Sequence, residues 1–215
     1  MKTGPDYCRN MLVVGVLALT TPLMGCSRQT DSRSTPQAAS AHKPAASGAH
    51  GDTHAPTSSP NAASAPYDLQ FIDTMISHHQ GAVSMADMAA MKASRPELKT
   101  FALEIVADQN REISQMTKWR EQWYPAAPPA VNMDFPGMMG SMQGMNMGHM
   151  NSMSGKDFDR MFVDMMIPHH EGAIVMARDA IGRAEHSDLK NLSQEIIFKQ
   201  QGEISRMSQW AAEWR

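Results

Sequence analysis

The chain has 215 residues, a net charge of −3 and 21 methionines, against 4 tryptophans, 3 tyrosines, 6 phenylalanines and 2 cysteines. Two thiols, Cys8 and Cys26, exclude a disulfide scaffold and a thiolate zinc module. The near-neutral balance, with no Lys/Arg cluster, excludes nucleic acid as a partner.

Residues 1–25 read as a lipoprotein-type signal peptide. Lys2 and Arg9 precede an uncharged, mostly apolar run from Met11 to Gly25 that is too short for a comfortable membrane span. The run ends in Leu23-Met24-Gly25-Cys26, which resembles a bacterial lipoprotein box. Acylation of Cys26 would anchor the mature chain to a membrane in the periplasm or cell envelope; ordinary cleavage and an uncleaved anchor are the alternatives. Residues 26–66 are Ala, Ser, Thr, Pro and Gly with almost nothing to bury, and so predict a disordered tether. His42, His50 and His54 lie in it, either as solvated side chains or as a weak auxiliary metal catch.

Shifting the chain by 91 residues lays Phe71 to Ala86 on Phe162 to Ala177. The register continues without a gap, placing Leu98, Glu104, Gln109, Glu112, Met116, Trp119 and Trp123 on Leu189, Glu195, Gln200, Glu203, Met207, Trp210 and Trp214. Such a match reads as two tandem copies, each a helical hairpin, over residues 67–124 and 157–215. Leu98, Phe101, Ile105, Met116, Trp119 and Trp123 fall on one line at a helical angular step of roughly 100° per residue. Ser94 and Glu97 form a capping-box pattern for the second helix, and Ser187 is predicted to start its copy. Neither hairpin can hold a core alone. Four helices together predict an all-α antiparallel four-helix bundle built from two duplicated hairpins.

Residues 125–156 form a Met-rich linker. It carries Met133, Met138, Met139, Met142, Met145, Met147, His149, Met150 and Met153, while Gly137, Gly140, Gly144 and Gly148 argue against stable helix and the scarcity of branched side chains argues against burial. Thioethers that gain nothing from packing point instead to a soft metal, above all Cu(I). Compositional drift, or a membrane- or partner-binding surface, would also produce such a segment.

In the first helix Ile72, Ile76, His79, Val83, Ala86 and Ala90 make the predicted core stripe, which puts His79 on a buried face and His78 about 100° away with Met85. Met75 lies one turn before both histidines. Met166, His169, His170 and Met176 repeat the set, so His79 and His170 are expected to converge across the bundle. The reading is metal ligation by this constellation, against histidines that are merely structural. Gln109 and Glu112, with Gln200 and Glu203 in the copy, fall inside the apolar stripe and need buried partners. A facing imidazole would serve, its other nitrogen turned to the metal; a polar pair that only sets helix register is the alternative. Pro168 stands where the first copy has Ser77 and is expected to kink the third helix.

The strings Met75-Ile76-Ser77-His78-His79-Gln80-Gly81-Ala82 and Met166-Ile167-Pro168-His169-His170-Glu171-Gly172-Ala173, with Asp108-Gln109 through Met116 and its copy, resemble the domain of unknown function 305 family of CopM-like copper-binding proteins. The resemblance implies a ferritin-like bundle and extracytoplasmic copper binding, with Met75, His78, His79, Met85, Met166, His169, His170 and Met176 as ligand candidates. Ser77 departs from the family proline. The function this favours is sequestration or transfer of Cu(I), with Cu(II) at His-rich positions, in copper tolerance or homeostasis, without catalysis and with a copper-transfer protein as a possible partner. The alternatives are a ferritin-like di-iron carboxylate enzyme using Glu104, Glu112, Glu195 and Glu203, and a structural lipoprotein whose Met-rich segment binds protein. No Glu-x-x-His motif supports the first of these.

Overall fold

A computed structural model describes residues 57–142 and 145–214; the export signal, Cys26, His42, His50 and His54 lie outside the described residues. Its elements are α1 (Tyr67–Lys92), α2 (Pro96–Trp123), α3 (Met138–Met142), α4 (Met147–Ser152), α5 (Gly155–Arg183) and α6 (Ser187–Glu213), preceded by one 3-10 turn at Ala62–Ser64. The protein is all-α, a bundle of the four long helices. Among the described residues no helix is long and apolar enough to cross a membrane.

The helices pair as two hairpins, α1 with α2 and α5 with α6. At the centre α1 and α5 run antiparallel, because Met75 shares an apolar cluster with Met176 while Met85 shares another with Met166. The end of α2 therefore lies beside the start of α1, where Arg120 meets Asp73 at 3.1 Å, whereas α5 begins at the opposite end, where Asp159 meets the α1–α2 turn. The connection between them must travel the length of the bundle, the single long crossover of ferritin-like folds.

This crossover corrects the expectation of an unburied linker without helix. Asp73 accepts a hydrogen bond from the Ala130 amide and Thr74 one from the Asn132 amide, and Met133, Phe135, Met138 and Met150 are buried. Segment 137–141 closes on α5 at Gly172, where a β-carbon would lie 2.6 Å from the Gly137 carbonyl oxygen; Gly137 itself has φ +90°, in the region that favours glycine. Gly137, one of the glycines that argued against helix, thus permits a close approach instead. At the far end Lys92 donates to the Asn151 carbonyl. Ordered contacts also begin ahead of residue 67: the Ser59 amide donates to Val131 O, and Ser58 Oγ accepts from the Met133 amide.

The helix starts differ from the local capping pattern as well. Neither Ser94 nor Ser187 caps its helix, and the residues at the N-caps, Arg95 and His186, make no side-chain cap. Each turn is instead held by a buried aspartate of the other hairpin. Asp159 on α5 accepts from the Ser94 and Arg95 amides, from Ser94 Oγ at 2.6 Å and from the Arg95 guanidinium at 2.9 Å. Ninety-one residues earlier, Asp68 on α1 accepts from the Glu185 and His186 amides and from His186 Nδ1 at 2.7 Å. These exchanged carboxylates lock hairpin to hairpin. Replacing either Asp68 or Asp159 by Ala is expected to lower the unfolding free energy by roughly 2–4 kcal/mol in chemical denaturation, since several charge-assisted bonds are lost and buried amides are left unpaired. A change within about 0.5 kcal/mol, the surface range, would show that the locks are dispensable.

Candidate metal centre

The Met-x-x-His-His string puts two adjacent imidazoles on the middle of α1 and two on the middle of α5, and the antiparallel contact brings them into one layer. His78 and His169 face each other with ring centroids 3.7 Å apart at 37°. The converging pair is therefore His78 with His169, not His79 with His170. His78, assigned to the flank, is 1 % exposed, because α1 sits centrally and is covered over a wider arc than a single stripe. Gly81 lies beside this pair: a β-carbon there would sit 3.4 Å from His169 Nε2, at ordinary contact distance.

His79 and His170 turn instead toward the second helix of their own hairpin. His79 Nε2 lies 2.6 Å from Glu112 Oε2 and His170 Nε2 lies 2.7 Å from Glu203 Oε2, the contact expected between acid and facing imidazole. All four imidazoles are buried. Among the described residues their remaining nitrogens, both of His78, both of His169 and Nδ1 of His79 and of His170, have no hydrogen-bond partner, and neither do the two amide atoms of Gln109 or Oε1 of Gln200. A neutral imidazole offers one donor and one acceptor, and leaving either unmade in a buried place is costly.

The thioethers lie on both sides of this layer. Met75, Met176 and Met116 are fully buried in one cluster with Met133 and Met138, and Met142 packs against it. Met85, Met166 and Met207 are fully buried in the other with Met150 and Met165, and Met145, Met147 and Met153 pack against it. The two triads correspond at the 91-residue offset. The crossover thus divides its methionines between them, while Met139 and His149 face solvent. Met116, on the apolar stripe of the second helix, and its copy Met207 occupy the same clusters as the ligand candidates. Pro168 lies inside α5, which continues through it.

Burial, reinforced by the neighbouring imidazoles, holds His78 and His169 well below the ordinary histidine range. Both are therefore neutral near pH 7, the form with a lone pair for a metal. Among the described residues no three His, Cys, Asp or Glu side chains are placed to hold a metal ion. The carboxylates of a di-iron site do not assemble: Glu104 pairs with Arg206 in solvent, Glu195 is exposed, and Glu112 and Glu203 are engaged by histidine. The donors beside the imidazoles are sulfur, which suits a soft ion.

The helical bundle that carries this His layer is a fold shared with known proteins. Residues 68–211 match the family described as Domain of unknown function (DUF305), in one match spanning both hairpins. The chain belongs to that family. A solved structure of CopM in the Cu(II)-bound form is 39 % identical, with TM-score 0.60, over 69 % of this chain and 97 % of that one. CopM in the Cu(I)-bound form is 37 % identical, with TM-score 0.59, over 68 % and 96 %. A putative secreted DUF305 protein of Streptomyces coelicolor is 27 % identical, with TM-score 0.61, over 72 % and 96 %. An uncharacterised protein of Acanthamoeba polyphaga mimivirus is 38 % identical over 50 residues, 23 % of this chain and 33 % of that protein, so the chain matches about a third of its length.

The depressed imidazoles set a pH dependence. Below about pH 6.5 the unfolded chain takes up protons that folded His78 and His169 refuse, so the metal-free protein is at full strength above that pH and weakens as pH falls. The loss attributable to each is expected to reach about 1.4 kcal/mol per pH unit. Urea titrations from pH 7.5 to 5 on the wild type and on His78→Gln/His169→Gln check it: the variant's curve should be the flatter, and parallel curves would contradict the burial argument.

Proposed function

We propose that this protein binds copper, as Cu(I), through the His78/His169 layer and the flanking thioethers, and that it sequesters or hands on the ion outside the cytoplasm. The observation that carries the reading is the set of buried imidazole nitrogens without partners, lying between two clusters of buried sulfur. Soft, neutral donors in a buried site favour a monovalent soft ion, and Met and neutral His are ligands that need no deprotonation. The CopM structures with Cu(I) and Cu(II), above a third identical, support the same ion here. Cu(II), which prefers nitrogen and oxygen, belongs on the histidines outside the bundle.

In this reading Glu112 and Glu203 fix the tautomers of His79 and His170, leaving Nδ1 of each for the ion, and Gln109 and Gln200 line the layer. The crossover methionines Met138, Met142, Met145, Met147 and Met150 extend the sulfur of the two clusters toward the surface, with Met139 and His149 as solvent-side donors. The 91-residue register reflects duplication of one hairpin into two tandem copies. Export by residues 1–25, lipidation of Cys26 and a place in the periplasm or cell envelope are read from the signal pattern, and a copper-transfer protein is the partner that handing the ion on would require; no catalysis is assigned.

Metal content after expression in medium supplemented with copper and iron tests the reading: co-purifying copper is expected, stoichiometric iron would favour the di-iron enzyme, and neither would favour a structural lipoprotein. Replacing Met75, Met85, Met166 and Met176 by Leu keeps volume and should cost less than about 1.5 kcal/mol per site. That variant is expected to stay folded by circular dichroism while losing Cu(I) equivalents in a competition titration against a Cu(I) chelator. Unchanged stoichiometry would remove these four sulfurs from the site.

A further inference from the structure

The buried layer has two outer faces, and they are closed differently. On the α5 side, segment 137–141 is clamped against Gly172. Between α2 and α6, by contrast, lies an open groove of about 680 Å³ lined by Phe101, Glu104, Asp108, Lys199, Gly202 and Glu203 among others. Glu203 joins the groove to the layer: it lines the one and holds His170 Nε2 at 2.7 Å in the other, with its side chain 11 % exposed and that of His170 fully buried.

Charge singles out the same residue. Glu104 is paired with Arg206, and Asp108 is shared by Lys199 and Arg111, so both are neutralised locally. Among the described residues no Lys or Arg engages Glu203. The corresponding acid of the other half, Glu112, is the more covered of the two, with its side chain 7 % exposed. The 91-residue offset supplies a reason: Gly202, where a side chain would meet open space, corresponds to Arg111, which lies over its own helix with its guanidinium on Asp108.

We propose that the α2–α6 groove is the door through which a soft monovalent cation reaches the imidazole layer, with Glu203 as the carboxylate that carries it across the threshold, and that the bundle has this door in one half only. The proposal rests on the copper reading above. A monovalent ion entering an apolar interior needs an opposite charge along its path, and a carboxylate at the floor of a groove concentrates cations there. Glu203 meets both needs while remaining in contact with a histidine of the layer.

The test separates path from destination. Gly202 lines the groove and a β-carbon there would meet open space, so Gly202→Trp places a bulky side chain at the mouth, and the change is not unfavourable in a helix. Gly182→Trp on α5 and Gly140→Trp on α3 also project into open space, away from the groove. Uptake of Cu(I) from a weak coloured chelator, followed by stopped-flow absorbance, should be slowed about tenfold or more by Gly202→Trp with final stoichiometry unchanged, because a plug acts on the association rate and not on the bound state. The other two tryptophan variants should load at the wild-type rate. Arg206→Ala, which removes a positive charge from the mouth and leaves the helix backbone intact, should accelerate loading, and it decides independently should Gly202→Trp misfold. Wild-type speed in folded Gly202→Trp, slowing in Gly140→Trp, or no acceleration in Arg206→Ala would overturn the door. Failure of the unmodified protein to take up Cu(I) even at equilibrium would overturn the copper reading itself, and the door with it.

Discussion

Six imidazole nitrogens buried without partners are the constraint on which the rest of this bundle turns. Each unmade hydrogen bond in such a place costs about 1–3 kcal/mol, a sizeable share of the 5–15 kcal/mol by which a domain is ordinarily stable. A fold that keeps them must hold α1 against α5 strongly by other means. The exchanged aspartates do this at both ends of the bundle, each from one hairpin into the turn of the other. Trp123 stacked on His186 at 3.7 Å, and Arg95 over Trp214 at 4.1 Å, reinforce the same two junctions. With the ends pinned, the middle can carry a layer that packing alone would not choose.

The antiparallel arrangement of α1 and α5 also decides what lies next to that layer. It pairs the methionine before one His-His string with the methionine after the other, so Met75 meets Met176 and Met85 meets Met166. It also obliges the connection between hairpins to cross the bundle lengthwise, which distributes the crossover methionines to both clusters rather than gathering them in one flexible loop. The Gly of each string then serves a different contact in each half. Gly81 lies at ordinary contact distance from His169, whereas Gly172 admits the crossover, which a side chain there would block. Two near-identical strings thus produce a layer that is symmetric in its donors and asymmetric in its covering.

Much of this was legible from sequence because the offset of 91 residues ties long-range features together. The four-helix architecture, the placing of the histidines at mid-helix and the pairing of Glu112 and Glu203 with imidazole all follow from helical phase and from the need of buried acids for partners. Phase misplaced His78 because it assumes one buried stripe, whereas a central helix touches neighbours on several sides. The capping box failed for a related reason: Ser94 sits where a carboxylate from the other hairpin outcompetes a local serine, and Asp68 and Asp159, 91 residues apart, were the available signal. The crossover was misjudged because glycine was read through helix propensity alone. At Gly137 its value is a positive φ and the absence of a side chain against α5, and only the tertiary contact reveals that.

The central claim is that the buried imidazoles, and not the histidines near the surface, receive a soft ion. The most direct measurement is nitrogen NMR of uniformly 15N-labelled protein titrated with Ag(I) as a spin-active stand-in for Cu(I), with His78, His79, His169 and His170 assigned by single substitution. At the first equivalent, one ring nitrogen of His78 and one of His169 should shift and show coupling to silver, while the resonances of His149 and His186 stay in place. Silver coupling confined to His149, or to histidines ahead of α1, with the layer unmoved, would contradict a metal centre in the bundle.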